Sequence, residues 1–254
     1  MDFAEEAGMK KVQNILAVVA MTCIVLAVFL TSFQVAVYGD QEYRFYEKMY
    51  EKYHVTDDLN MKLENVMDVT EYMMAYLIGE EEELSIVTDV DGREQDFFNE
   101  QDRLHMADVR GLFLGGLRLR NMLVVAAVIL IVILALLKTE LWKLLGKAYM
   151  RALLVFVGCA LLLAVGCAID FTACFTLFHK LFFTNDLWLF DPATDYMIRM
   201  LPEGFFLSMA VRIGIFFLIG LLLPALLLAG WKKIRSEKGK NERMRKNETD
   251  SLGE

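Results

Sequence analysis

Apolar residues along this chain fall into four long blocks, with the polar residues gathered between them: Val12 to about Val35, Asn121–Leu137, Ala152 to about Phe175, and Phe205–Trp231. Roughly 20 apolar residues in a helix cross a hydrocarbon core about 30 Å thick, so the pattern predicts four transmembrane helices. The second begins a little before Asn121, with Arg118 and Arg120 snorkelling toward the headgroups. The first run exceeds the roughly 7–15 apolar residues of a signal-peptide core and reads as an uncleaved anchor.

These spans divide the chain into residues 1–35 (a short N-terminus and span 1), a polar region at 36–120, and span 2 at 121–137. A basic loop at 138–151, span 3 at 152–175, a loop at 176–204, span 4 at 205–231 and a tail at 232–254 complete it. In the polar region Leu59, Leu63, Val66, Met67, Met73, Met74 and Leu77 recur near helical spacing. With Thr56 or Asp57 as N-cap, one amphipathic helix is expected over Asp57–Leu77. Glu80–Glu83 end it, and Leu84–Thr88 reads as a strand that turns at Asp91-Gly92. The expected fold class is an α-helical integral membrane protein, four transmembrane helices with a small α+β extracytoplasmic domain between spans 1 and 2.

Composition agrees: hydrophobic residues make up 56% of the chain, above the about 45–50% usual in soluble domains. The net charge of −8 hides a segregation. Lys10 and Lys11, the loop with Lys138, Lys143, Lys147 and Arg151, and the tail from Lys232 to Lys246 all fall on one side of a four-span chain. Lys and Arg concentrate in cytoplasmic loops, so both termini are expected in the cytoplasm, with 36–120 and 176–204 outside. Cys23, Cys159, Cys167 and Cys174 all lie in apolar blocks, which leaves no extracellular disulfide framework and no C-x-x-C zinc spacing. The chain carries no phosphate loop and no nucleophile elbow. Its basic tail suits a stop-transfer segment on anionic lipid rather than nucleic acid.

That topology brings two histidines to one level, His105 just before span 2 and His179 just after span 3. Histidine can take and give a proton near neutral pH, with an unperturbed pKa of about 6.5. Asp102 and Asp108 lie three residues either side of His105 on its helical face, placed to fix the imidazole tautomer. By residue chemistry alone, an interfacial histidine is more often a headgroup neighbour than a catalyst. Phe182, Phe183, Trp188 and Phe190 read first as an interfacial aromatic belt and second as acyl-chain contacts. His54 reads as a surface or capping residue. Asp170 near the end of span 3 and Arg212, about 10 Å into span 4, are ionisable groups inside spans, and such groups are usually paired or face a cavity. An Asp170–Arg212 pair is therefore expected. On a continuous helix Asp170 and His179 are half a turn out of phase, so no contact between them is expected.

Phe98-Asn99-Glu100 with Leu104-His105-Met106-Ala107-Asp108-Val109, and Phe178-His179-Lys180-Leu181-Phe182-Phe183 with Trp188 and Pro192, resemble the signatures of the lipoprotein intramolecular transacylase family. Those are bacterial four-span membrane proteins with an extracytoplasmic domain after the first span, and the resemblance covers nearly the whole chain. It implies an enzyme of the bacterial cell membrane that shifts the sn-2 acyl chain of a diacylglyceryl-cysteine lipoprotein onto the α-amine of the same cysteine. The product would be an N-acyl, lyso-form lipoprotein. The resemblance also implies His105 and His179 as a catalytic pair at the outer face, diacylated lipoproteins and membrane lipid as partners, and no metal or other cofactor. Arg110, Tyr196 and Arg199 are within loop reach as oxyanion donors. Two other readings stand beside it: a histidine-dependent phospholipid hydrolase or acyltransferase, and a non-catalytic sensor or assembly factor whose acidic domain binds a partner.

Overall fold

The structure is a computed structural model that describes residues 3–137 and 140–251. Lys138 of the expected basic loop and residues 252–254 of the tail lie outside the described residues. In chain order the elements are α1 (Phe3–Tyr38), α2 (Arg44–Lys52), α3 (Val55–Leu59), α4 (Leu63–Ile78), β1 (Val87–Val90), β2 (Arg93–Asp96), α5 (Glu100–Leu136), α6 (Leu141–Ile169), α7 (Phe171–Phe182), α8 (Tyr196–Met200) and α9 (Glu203–Ser251).

Helices α1, α5, α6 and α9 each contain a stretch long and apolar enough to cross a membrane, whereas α7, at 12 residues, is too short. Their flanks present large exposed apolar side chains such as Leu136, Leu162, Ile169 and Leu226. In water such a surface would drive association. In hydrocarbon it is the favourable face, because a helix satisfies its backbone polar groups internally. The chain is a mostly helical, multi-pass membrane protein.

Two compact units divide it. One comprises the residues up to Phe29, Met122–Gly158 and the chain from Phe217 onward. Its core packs Ala17, Ala20, Met21 and Val25 with Leu134, Leu145, Ala148, Tyr149 and Leu221. The alanines let helix backbones approach closely where no hydrophobic effect drives them together. The Tyr149 hydroxyl donates to the Leu221 carbonyl, so its polar end is satisfied.

The second unit, Leu30–Asn121 with Cys159–Phe216, holds both histidines. Here the expectation of a separate α+β domain is revised. Tyr50, Val66, Val69 and Met74 from α2 and α4 share one core with Phe97 and Phe98 and with Met197, Met200, Phe205 and Met209 of α8 and α9. The sheet is a single antiparallel hairpin pairing Val87 with Asp96 and Val90 with Arg93. Asp91 and Gly92 both adopt left-handed φ, 56° and 72°, which a two-residue hairpin turn requires. The helix expected over Asp57–Leu77 is divided: Asn60 (φ 48°) closes α3, and α4 starts afresh at Leu63. Asparagine tolerates that left-handed conformation, and its amide donates to Asp91 Oδ1 at 3.3 Å.

A larger correction concerns span 3. The helix begins at Leu141, inside the expected loop, and ends at Ile169 rather than near Phe175. Asp170 is extended (φ −152°, ψ 93°), and its Oδ1 accepts the Ala173 N–H at 2.8 Å. A carboxylate in that position satisfies one of the orphan donors at a helix start, so the residue that looked like a buried charge opens a new helix. At the start of α9, Thr172 donates to Glu203 Oε1 at 2.7 Å, and Tyr53 donates to the Gly204 carbonyl at 2.8 Å. A β-carbon at position 204 would lie 2.5 Å from the Tyr53 ring. Gly204→Ala is expected to destabilise the protein by about 1–3 kcal/mol, the usual cost of overpacking. The check is the thermal unfolding temperature of the purified protein in detergent, which should fall; no change would mean that Tyr53 yields freely.

Candidate active site

Helix α5 opens with a reciprocal cap. The Asn99 N–H donates to Asp102 Oδ2 at 3.0 Å, and the Asp102 N–H donates to Asn99 Oδ1 at 2.9 Å. This is a capping box with Asn99 as N-cap and Asp102 three residues on. The Asn99 amide also donates to Asp195 Oδ1 at 2.7 Å, while Asp195 Oδ2 accepts the Asp191 N–H at 2.6 Å. The start of α5 is thereby fastened to the stretch leading into α8. His105 sits one turn beyond the cap and is 5% exposed.

His179 lies on α7 and is 6% exposed. Its Nδ1 is 2.8 Å from the Phe175 carbonyl. A carbonyl can only accept, so Nδ1 carries the hydrogen and Nε2 keeps its lone pair. Burial pulls the His179 pKa below 6.5, and the bond to Phe175 opposes that shift. A neutral imidazole with a free Nε2 is a base in the correct tautomer.

The two imidazoles face each other with ring centroids 5.9 Å apart and planes inclined by 30°. Aromatic rings enclose them. Phe183 lies 5.2 Å from His105 and 5.6 Å from His179. Phe190 meets His105 at 5.3 Å, edge to face, and Trp188 stacks on His179 at 5.0 Å. Phe175 lies 4.2 Å from His179. No hydrogen bond joins the two rings, and Nδ1 of His105 is buried without a partner. Each imidazole can therefore serve a different atom of a bound group. The low-dielectric walls strengthen whatever electrostatic contacts form inside.

The remaining residues singled out in the sequence are placed differently. Asp102 is fully buried but spends Oδ2 on the helix cap, and its Oδ1 has no partner. Asp108 accepts from the Asn185 amide at 2.8 Å, so neither carboxylate hydrogen-bonds the imidazole between them. Arg110 lies over the Tyr76 ring at 4.6 Å and donates to the Glu82 carbonyl. The Tyr196 hydroxyl accepts from Gln95 at 3.1 Å, and Arg199 pairs with Asp58 at 3.0 Å. These three candidate oxyanion donors are engaged outside the histidine pair. Asp170 and Arg212 form no ion pair: the first caps α7, and the second has its guanidinium 4.4 Å from the Phe45 ring. His54 is exposed and lies 3.7 Å from Asp57. Phe183, Trp188 and Phe190, read first as an interfacial belt, pack on the imidazoles, and only Phe182 is substantially exposed. Among the described residues no cluster of His, Cys, Asp and Glu is arranged to hold a metal. Gln101, Asn185 and Asp195 carried no signal in the sequence, although the Asn99-x-x-Asp102 cap was readable.

Comparison with known proteins matches this chain to a family. Residues 18–206, which include both histidines, match the family model described as lipoprotein intramolecular transacylase Lit. Among solved structures, the membrane-integral lipoprotein intramolecular transacylase Lit from Bacillus cereus is 26% identical with a TM-score of 0.70, covering 89% of this chain and 99% of that one. The same Bacillus cereus protein with a histidine changed to arginine is 23% identical with a TM-score of 0.69, covering 92% of this chain and 98% of that one. Comparison with curated protein sequences finds no significant match. With the match spanning most of its length, the chain belongs to the lipoprotein intramolecular transacylase family and is a membrane enzyme of that kind.

Proposed function

We propose that this enzyme moves the sn-2 acyl chain of a diacylglyceryl-cysteine lipoprotein onto the α-amine of the same N-terminal cysteine, leaving an N-acyl lyso-form lipoprotein. The observation that carries this reading is the buried histidine pair: two imidazoles 5.9 Å apart, one held as a base by a backbone carbonyl. The α-amine nitrogen attacks the ester carbonyl carbon, and His179 Nε2 takes the proton that the nitrogen loses. Collapse of the tetrahedral intermediate breaks the bond to the glyceryl oxygen, and the proton now on His179 passes to this oxygen. His105, kept neutral by burial that pulls its pKa down to about 4, is the partner imidazole that hydrogen-bonds the reacting group. The reaction is proton-neutral overall: the proton that leaves the amine ends on the glyceryl oxygen, and both imidazoles finish neutral, as they began. Donor and acceptor belong to one molecule, and holding them together supplies a large part of the acceleration.

The basic segments at Lys10-Lys11, 138–151 and 232–254 support a topology with both termini in the cytoplasm. In that topology the histidine pair lies at the outer face of the cell membrane, at the depth where the ester of a diacylated lipoprotein sits. Substrate and surrounding lipid are its partners.

His105→Ala and His179→Ala should each lower conversion by about 10²–10⁴-fold, the range for a lost general acid or base, with membrane insertion retained. Mass spectrometry of lipoprotein N-termini from cells with and without each protein measures this. N-acyl lyso-form termini that persist without the protein, in cells lacking a second such enzyme, would refute the proposal. The lowered His179 pKa sets the pH dependence. The neutral base is present above that pKa, so the acid limb of the pH–rate profile should fall below pH 6.5. A midpoint above 6.5 would remove His179 from the role of base.

A further inference from the structure

The segment between α7 and α8 supplies two walls of the site without forming regular structure, and one side chain of α5 holds it in place. Gln101 lies four residues before His105, on the same face of α5. Its Nε2 donates to the carbonyls of Leu187 and Leu189, at 3.0 Å each. An amide nitrogen has two hydrogens, and both are spent on the carbonyls that flank Trp188. The Trp188 ring stacks on His179 at 5.0 Å, and Phe190, the residue after Leu189, is edge-on to His105 at 5.3 Å. A second tie lies one turn beyond His105: Asp108 accepts from the Asn185 amide at 2.8 Å, and the Asn185 carbonyl accepts the Trp188 indole N–H at 2.9 Å.

We propose that Gln101 is a positioning residue for the acyl transfer: by gripping the 187–189 backbone it sets the stacking of Trp188 on His179 and so the separation of the two imidazoles. The proposal rests on the transacylase reading above and names a residue that reading does not use. Gln101 touches no imidazole itself. It acts because α5 carries both His105 and the grip on the loop that backs His179, so one rigid helix references both halves of the site. No other described hydrogen bond holds the Leu187 or Leu189 carbonyl.

The test uses full-length protein in which Trp142→Phe and Trp231→Phe leave Trp188 as the only tryptophan. Gln101→Glu is nearly isosteric but replaces the NH2, with its two donor hydrogens, by one oxygen facing two carbonyl oxygens, and Gln101→Ala removes the grip without adding charge. With a synthetic diacylated lipopeptide in detergent, both variants should lose about 10–100-fold in kcat, the scale of a 1 Å misplacement. KM should stay close to the parent value, because groups that bind the lipopeptide are untouched. Acrylamide quenching of Trp188 fluorescence should rise in both, as the indole leaves its stack. A variant that keeps the parent kcat, loses kcat only with a matching rise in KM, or leaves Trp188 as shielded as before would overturn the proposal. If the Glu variant fails to fold, the Ala variant decides on the same readouts. If the parent shows no acyl transfer, the transacylase reading fails, while the quenching comparison still decides whether Gln101 holds Trp188.

Discussion

The carboxylate of Asp170 is the constraint on which the site depends. A helix that ran unbroken from α6 would carry His179 onward along the same axis. By accepting the Ala173 N–H, Asp170 satisfies a donor that the break exposes and lets a second helix begin one residue later. The Cys174 N–H bonds to the Asp170 carbonyl at 3.3 Å, so the new helix is hydrogen-bonded from its first turn. The short helix is then free to place one residue, His179, inward among aromatic rings while Leu177 and Leu181 point outward. An ionisable residue inside an apolar run, costly as a buried charge, is here put to use as a cap.

Burying two imidazoles carries an electrostatic cost that the surroundings only partly offset. His179 has a carbonyl for one nitrogen, whereas Nδ1 of His105 has nothing. A polar atom left unpaired in a low-dielectric enclosure is destabilising by about 1–3 kcal/mol. Sites of chemistry commonly hold such local violations of good packing, and the rest of the fold supports them. In this unit the support is the shared core of α2, α4, α8 and the first turns of α9, with Tyr50 bonded to Thr70 at 2.6 Å deep inside it.

Much of this was legible in the sequence, for reasons of scale. The four long helices rest on tens of apolar side chains each and survive any local exception. The Asp91-Gly92 turn needs two specific backbone angles, and its residues advertise them. The two histidines stood out because histidine is the side chain whose ordinary pKa lies near neutral pH, and the chain has only three. What stayed hidden was decided by single contacts. One aspartate against a run of leucines scarcely alters an averaged hydropathy, so the break at Asp170 read as a charge seeking Arg212. The Asn60 division of α3 from α4 likewise hangs on one left-handed residue. Gln101, Asn185 and Asp195 bond to groups 77 to 96 positions away, which no periodicity reveals. The shared core was missed because a polar stretch between spans invites reading as an independent domain, although its hydrophobic residues pack against the far end of the chain.

The meeting of Tyr53 with Gly204 also has a mechanical meaning. The phenol ring occupies the space a side chain would fill, and its hydroxyl reaches the Gly204 carbonyl and, at 3.2 Å, Ser208 one turn further along α9. A ring seated in a notch, with two attachment points a turn apart, resists both sliding and rolling of that helix end against α2. Tyr53 is thus a locating pin. It removes axial and rotational freedom from a membrane-spanning helix whose first turns share a core with the rest of the unit.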